Sequence, residues 1–354
     1  LLNRSSDLDL KRKILLPLLA VLLLAACNDN TQNPADQKKG SSGKTLELLV
    51  VADPGVYAGE TKALIDSLFT RPQDGLYNPE AMFDIVNIPL SSYRNTEMFR
   101  VHRNILLCDV NSENPGKVYK HIDEYAAPQV IYDFAVKDVE SLREKLRKHE
   151  GDILDELYKA EHRRVIKAFR GMYNHKLCKA IEEQFGFGLT FSNEFTLAKQ
   201  DVDFAWVRKE AKDFGIGVLV DVLPYSDSKI FEEQTLLDRI DTIMRRHVPA
   251  AAEDSYMGLE RRRDKEGYYL APIFRKTVEF HDSPYCIETR GNWRAFGDFM
   301  GGPFVSYALL SPDQKKVIIL TGYVYCPRNK PWSKRDLLMQ VESICHSLDF
   351  DTAE

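Results

Sequence analysis

The segment 288–307, ETRGNWRAFGDFMGGPFVSY, contains the densest group of residues that could bind a ligand. The group consists of Arg290, Trp293, Arg294, Asp298, Gly301 and Gly302. Arginines can clamp an anionic group and an indole can stack on a ring, so the pattern would suit a carboxylate, a sugar or a peptide. Paired glycines followed by a proline also form tight turns between strands. The sequence favours this turn, and the floor of a ligand groove is the functional alternative.

A second chemical signal lies at Cys27. Three basic residues, 11–13, precede an apolar run over 14–24, which ends in Leu-Ala-Ala-Cys. This order is typical of a secretory signal peptide, and the run is about half the length of a membrane-spanning helix. The last four residues resemble the lipobox of bacterial lipoproteins, in which the cysteine is acylated and becomes the new N-terminus. We therefore expect residues 1–26 to be a lipoprotein signal peptide and Cys27 to be the lipid attachment site, with palmitate-like acyl chains.

The residues after the cysteine predict a tether and a location. Residues 28–44 are almost entirely polar, so we expect 27–44 to form the lipidated cysteine and a flexible tether. Asn28 replaces the aspartate that retains proteobacterial lipoproteins in the inner membrane. This favours the outer membrane, facing the periplasm, with the cell surface as the alternative.

Motifs for catalysis and metal binding are missing from the sequence. There is no G-x-S-x-G elbow, no HExxH and no phosphate-binding glycine loop. The eight histidines are dispersed, and we assign His162 and His175 to the exposed surface of a long helix. The tripeptide at 281–283, His-Asp-Ser, is typical of a turn. Asp155 lies among charges at helical spacing, which is typical of a solvated face. No metal site and no cofactor are predicted.

The net charge and the cysteine spacing exclude further classes of function. The formal net charge of −5 gives no electrostatic basis for binding nucleic acid. Five cysteines follow Cys27, and none has CxxC spacing. Cys108 and Cys345 occur in apolar patterns and are expected in the core. Cys286 and Cys326 occur in neighbouring strand-like segments and form the one pair that we consider for a disulfide.

Apolar periodicity predicts an α+β fold of two packed, α/β-sandwich-like halves, 45–186 and 187–354. One long helical stretch, 138–185, is expected to break or bend at Gly151 and Gly171. Strands are expected at 46–51, 83–88, 104–110, 129–136, 187–198, 204–209, 215–225, 277–290, 302–309 and 316–325, and further helices at 58–69, 234–247 and from 333. Each half has strands and a final helix, so the halves could be pseudo-repeats sharing a mixed or antiparallel sheet.

The segment 288–307, the run GYVYCP at 322–327 and the basic start of the last helix resemble DUF4837, a Bacteroidetes lipoprotein family of unknown function. The similarity extends over nearly the whole body. It implies a location and a lineage, but no mechanism.

The sequence therefore predicts a cell-envelope lipoprotein with a role in binding, assembly or scaffolding. Its expected partners are the membrane, through the anchor, and an envelope protein, a peptide or a glycan. A periplasmic hydrolase or cell-wall enzyme with an unrecognised active site is the alternative. A deep pocket containing His281, Glu288, Arg290 or Asp298 with shifted pKa values would favour the enzyme, whereas an exposed aromatic patch would favour partner binding.

Overall fold

The computed structural model describes residues 38–327 and 330–351. The predicted signal peptide and Cys27 lie outside these residues, so the lipid anchor stays a prediction. Among the helices of the described residues, none is both long enough and apolar enough to cross a membrane. The described chain forms a five-stranded mixed sheet and an eight-stranded antiparallel sheet, with helices packed on both. The predicted α+β class with one long helix is thereby confirmed.

The first sheet is built from the strands of the first half. These are β1 (Glu47–Val51), β2 (Asp84–Ile88), β3 (Asn104–Val110), β4 (Lys117–Ile122) and β5 (Val130–Val136). Their order is β2-β1-β3-β5-β4, in which β4 is antiparallel to β5 and the other neighbours are parallel. The central strands are largely apolar on both faces, as strands covered on both sides must be.

The helices of the first half are α1 (Gly59–Phe69), α2 (Leu90–Asn95), α3 (Glu97–Arg100) and α4 (Val139–Arg170). Helices α1 and α4 pack on one face of the first sheet, and α2 and α3 pack on the other. Asp138 caps α4, because its side chain accepts a hydrogen bond from the Ser141 amide at 2.7 Å. Helix α4 continues through Gly151, where we expected a break, since Leu146 and Ile153 bury the turns on either side.

The second half contains the larger sheet. Its strands are β6 (Thr196–Asp201), β7 (Phe204–Glu210), β8 (Gly215–Pro224), β9 (Tyr256–Leu259), β10 (Phe274–Val278), β11 (Cys286–Phe296), β12 (Gly301–Leu310) and β13 (Lys316–Tyr325). The order is β10-β11-β12-β13-β8-β7-β6, and β9 pairs with the far end of β11. Its helices are α5 (His175–Phe185), α6 (Glu233–His247) and α7 (Lys334–Cys345), with a 3₁₀ turn at Ser228–Phe231.

Helices cover both faces of the second sheet. Helices α5 and α7 pack on one face, where Ile181 and Val341 meet Val305 and Leu320 of the sheet. Helix α6 packs on the other face with Trp206 and Phe304. Helix α7 begins where predicted, because Ser333 accepts a hydrogen bond from the Asp336 amide at 3.0 Å.

Helix α7 also contacts the first half, and α4 packs against it. Glu80 of the first half accepts hydrogen bonds from the Ser333 hydroxyl and from the amides of residues 334 and 335, at 2.6 to 3.1 Å. Arg335 donates to Asp84 at 2.9 Å, and Met339 lies in the core of the first half. A carboxylate at a helix N-terminus is favourable, so this contact fixes the junction between the halves.

Three expectations about the halves are wrong. The halves do not share a sheet, and their strand orders differ, so nothing in the topology supports a duplication. The strand expected at 277–290 is two strands, because residues 279–285, which include Pro284, form a loop between β10 and β11. Helix α5, assigned to the first half, packs in the core of the second. In addition, the backbones of Lys39 and Ser42 are hydrogen-bonded to the first half, so this end of the predicted tether is attached to the body.

Candidate functional site

The predicted binding residues separate into two places. Four of the six line a groove of about 560 Å³ at the β11–β12 hairpin, which we call the glycine groove. Its lining includes Trp293, Arg294, Gly301, Gly302, Tyr77, Leu270, Phe299, Arg262 and Lys334. Arg290 and Asp298 do not line it. The paired glycines, for which the sequence favours a turn and gives a groove floor as the alternative, therefore line an open groove.

The glycines are required because the strands pass close to each other there. Gly301 and Gly302 lie in β12 itself, opposite Arg294 and Trp293 of β11, and the tight turn precedes them at 297–300. A Cβ atom on Gly302 would lie 1.9 Å from the backbone oxygen of Val324. No side chain fits in that space, so residue 302 must be glycine for the floor to keep this shape.

The rim of the glycine groove is cationic. Glu260 is its one carboxylate, and it pairs with Arg262 at 2.6 Å and with Arg294 at 3.7 Å. The hydrogen bonds from Arg262 lower the pKa of Glu260, which keeps it ionised. Lys334 has no ion pair within the described part of the chain. Three cations thus face a single carboxylate, and the groove favours an anionic ligand.

Solvent-exposed aromatic and aliphatic side chains border the same groove. Phe299 is fully exposed, at 106%, and Tyr77 is 75% exposed. Leu270 is also exposed. Trp293 is only 4% exposed and donates its ring N–H to the Val324 oxygen at 3.1 Å, so it forms a wall and does not offer a free stacking face. Asp298 lies in the turn, where its side chain accepts a hydrogen bond from the adjacent Phe299 amide.

Arg290 lies on the opposite face of β11 and is buried at the junction of the halves. Its guanidinium donates to Glu288 at 2.8 and 3.1 Å and to Glu342 of α7 at 2.7 and 3.0 Å. Burial alone would lower the pKa of Arg290, but the two carboxylates raise it well above its usual value. Burial would likewise raise the pKa of Glu288, but Arg290 lowers it to about 2. The triad is therefore a fixed ionic cluster.

A cavity of about 230 Å³ adjoins this triad, between α4 and the second sheet, and we call it the junction cleft. Residues of α4, α7, β10, β11 and β12 line it, together with the loop 71–74. Its inner wall includes Tyr158, His162, Glu288, Tyr307 and His346.

His162 was assigned to the surface, and this prediction is wrong. The side chain is 7% exposed and stacks on His346, with the ring centroids 4.0 Å apart. Its Nδ1 donates to the Ser343 hydroxyl at 3.0 Å, because that hydroxyl donates to the Met339 oxygen at 2.7 Å. Burial, with a smaller contribution from Arg290, lowers the pKa of His162 to about 3, so its ring is neutral.

The groups of the cleft do not form a recognisable acid–base pair. A glycosidase needs one carboxyl group that keeps its proton, whereas Glu288 stays ionised. The thiols of Cys286 and Cys345 have pKa values raised by burial and are poor nucleophiles. Among the described residues, no group of His, Cys, Asp or Glu has the geometry of a metal site.

The sequence contained signals for the residues that we missed. Glu342 lies on α7 between Leu338 and Cys345, in the helix's buried stripe. His162 lies between Tyr158 and Phe169 at helical spacing. A charged or polar residue within an apolar stripe indicates a buried partner, but the partner itself cannot be read from the chain.

The predicted disulfide between Cys286 and Cys326 is wrong. All five described cysteines are free and buried. Cys286 is aligned, through Leu309, with Ile318 of β13, and Cys326 follows the last residue of that strand. The eight residues from 318 to 326 span roughly 26 Å at about 3.3 Å per residue, which is far beyond the reach of a disulfide. Cys108 and Cys345 are confirmed as core residues.

Comparisons with known families divide the chain at the turn between α4 and α5. Residues 174–347 match DUF4837, a domain of unknown function, and residues 41–170 match DUF8532, also a domain of unknown function. The expectation that DUF4837 covers nearly the whole body is corrected, because the first half matches a different family. A search of curated proteins finds no match.

Proposed function

We propose that the protein is a cell-envelope lipoprotein, anchored through Cys27, that uses the glycine groove to bind an acidic segment of another envelope protein. The β11–β12 hairpin of this groove lies within residues 174–347, which match the DUF4837 family of unknown function. The observation that carries the proposal is the glycine groove, with its three cations and its exposed Phe299 and Tyr77.

Charge supports an anionic ligand for this groove. The one carboxylate of the rim, Glu260, already accepts bidentate hydrogen bonds from Arg262. A ligand carboxylate could bind Arg294, whose one ion pair is the 3.7 Å contact with Glu260, and Lys334, which has no ion pair within the described part of the chain. Arginine binds carboxylates with a planar pair of hydrogen bonds, so this rim would orient the ligand as well as attract it.

Size and apolar content support a peptide. The groove volume of about 560 Å³ lies within the ~300–1000 Å³ of typical ligand sites. Phe299 and Leu270 would lose apolar exposure when a side chain of the partner covers them. An uncharged glycan would use the aromatic rim but not the cations, and is the less complementary occupant.

The proposed anchor would place the groove near a bilayer. Ten residues lie between Cys27 and Lys38, and even a fully extended chain over these eleven steps spans no more than about 40 Å. An acyl chain contributes ~0.8 kcal/mol per buried CH₂ group, so two or more chains hold a protein on a membrane stably. Partners in the same envelope compartment would therefore be within reach.

The proposal is tested by charge reversal in the mature, lipidated protein. Variant R294E/K334E should lose a partner that co-purifies with the wild type from envelope extracts. Variant K179E/K315E, which reverses two exposed lysines outside the groove, is the matched control and should retain it. The captured segment should be acidic, and its binding should weaken as salt rises. A partner kept by the groove variant, or binding indifferent to salt, would contradict the proposal.

The enzymatic alternative has less support. The junction cleft does contain Glu288 and Arg290 with shifted pKa values, as a buried active site would. Both groups are nevertheless used in the triad with Glu342, and Glu288 cannot donate a proton at neutral pH. Hydrolysis of cell-wall material by the purified protein would restore this alternative.

A further inference from the structure

The N-terminal segment of the described chain lies along one end of the first sheet, beside the loop between β4 and β5. Lys38 donates hydrogen bonds from its Nζ to the backbone oxygens of Asp123 and Glu124 in that loop. The backbone oxygen of Lys39 accepts a hydrogen bond from the Ala127 amide at 2.9 Å. The chain that connects the body to the proposed anchor therefore leaves the body at the β4–β5 loop.

Large apolar side chains are exposed around this point. Ile122 ends β4, Tyr125 lies in the loop, and both are exposed. Met98 of α3 is exposed as well. Gln129 connects α3 with the loop, because its side chain donates to the Arg100 oxygen at 2.6 Å and accepts from the Tyr125 amide at 2.9 Å. The three apolar side chains therefore belong to one end of the body, and grouped exposed apolar residues indicate an interaction surface.

The charged groups of this end leave a small excess of cations. Asp123 pairs with Arg163 at 2.8 Å. Three cations and two carboxylates have no ion pair within the described part of the chain: Lys38, Lys39, Arg100, Glu97 and Glu124. A tyrosine has an apolar ring and a polar hydroxyl, and a lysine has an apolar stem and a charged end. Such side chains suit the boundary between lipid and water better than they suit a strongly charged partner.

We propose that this surface, which consists of Met98, Ile122, Tyr125, Lys38 and Lys39 and which we call the exit face, lies against the bilayer that holds Cys27. The proposal rests on the lipid anchor of the proposed function and adds an orientation to it. The length of the connecting chain and its end at Lys38 identify the bilayer as the occupant, since this chain reaches no more than about 40 Å from the anchor. None of these five residues lines the glycine groove, so the membrane and a bound partner need not compete.

A fluorescent amino acid that reports the polarity of its surroundings tests this orientation. The lipidated protein would carry dansylalanine in place of Tyr125 or, as a control, in place of the exposed Val202, in vesicles of phosphatidylethanolamine and phosphatidylglycerol. The emission at position 125 should shift to shorter wavelength when vesicles are added and should be quenched by a lipid with a nitroxide near its headgroup. The emission at position 202 should do neither.

Variants test which side chains hold the exit face on the bilayer. With the fluorescent group at position 98, I122S/Y125S should reduce the shift, because it removes the apolar contacts but keeps the anchor. The matched control V202S/Y268S, which changes two exposed apolar residues elsewhere, should keep the shift. The groove variant R294E/K334E should also keep it.

The outcomes distinguish the anchor from the orientation. Protein that binds vesicles but gives the same emission at positions 125 and 202 would overturn the orientation and leave the anchor intact. Lipidated protein that does not bind vesicles would overturn the anchor, and the orientation with it. A shift at position 125 of C27A protein that appears without vesicles and grows with protein concentration would show that a second copy covers this face, and would overturn the proposal.

Discussion

Arg290 of β11 and Glu342 of α7 form a buried, two-hydrogen-bond ion pair, with Nη1–Oε1 at 2.7 Å and Nη2–Oε2 at 3.0 Å. Glu288 shares the same guanidinium from the other side. The pair fixes α7 to the second sheet, and α4 of the first half packs against α7. It therefore connects the core of one half with the junction between the two.

Removal of the arginine from this cluster should destabilise the body strongly. R290M leaves Glu288 and Glu342 buried and close together without a cation, which should lower the free energy of unfolding by about 3–5 kcal/mol. Urea denaturation monitored by tryptophan fluorescence measures this. The triple variant E288L/R290M/E342L removes all three charges and should recover much of the loss. Equal instability in both variants would show that packing, not charge, explains the effect.

Alanine substitution at Gly302 and at Gly151 should change the stability of the protein in opposite directions. G302A places a Cβ atom against the Val324 oxygen and should destabilise the protein by at least about 1–3 kcal/mol. G151A lies in the middle of α4, where a Cβ atom meets nothing within 4 Å, and should stabilise it by about 0.5–1 kcal/mol. Thermal unfolding of the two variants side by side tests the backbone geometry of the groove floor and of the long helix.

Stability should fall as the pH decreases from 7 towards 3. The pKa of His162 is lowered from 6.5 to about 3 in the folded protein, so the unfolded chain binds more protons throughout this window. The contribution of the neutral ring is thus complete above about pH 6.5 and is lost progressively below it. Glu288, whose pKa is lowered to about 2, adds a second loss below its usual value of 4.5.

Variant unfolding curves separate these two groups. H162Q should reduce the slope of stability against pH between about 4 and 6.5 without removing it, because burial also lowers the pKa of His346. E288Q should reduce the slope only below about 4.5. Urea titrations at half-unit pH intervals provide the measurement. A wild-type profile without slope between pH 4 and 6.5 would contradict the buried, neutral state of His162.

The anchor has a direct chemical test. Intact mass spectrometry of the mature protein should show an N-terminal Cys27 that carries a diacylglyceryl group and an acyl chain. C27A should move the protein from the membrane fraction to the soluble fraction, because the described body has no membrane-spanning helix of its own. A C27S control should behave in the same way. Retention of both variants in the membrane would refute the proposed attachment.

The sequence predicted local elements better than it predicted partners. The apolar runs of β8, β12 and β13 and the Ser333 cap of α7 are visible in the chain, because they depend on neighbouring residues. The edge strand β4 and the short β9 were missed, since their patterns are mixed or brief. The packing of α5 on the second sheet could not be predicted from the sequence, because no residue pattern within the helix shows which of the two cores it joins.

The same limit applies to the candidate sites. The sequence predicted a ligand groove at the paired glycines and Arg294 only as the alternative to a tight turn, because the residue types at one hairpin fit both. Arg290 belongs to another site than Trp293, because the two positions are three residues apart and regular alternation places them on opposite faces of β11. Arg290 and Glu342 are separated by 52 residues, and only the packing of α7 brings them together.

Site-specific photo-crosslinking at Phe299 tests the central claim most directly. A photoreactive phenylalanine at this fully exposed rim position should crosslink in intact envelopes to an acidic segment of one partner. The same group at Val202, an equally open position 82% exposed in the β6–β7 hairpin, should not give that product. The crosslink should disappear in the R294E/K334E background. Identical products from positions 299 and 202, or a product that survives the charge reversal, would contradict binding in the glycine groove.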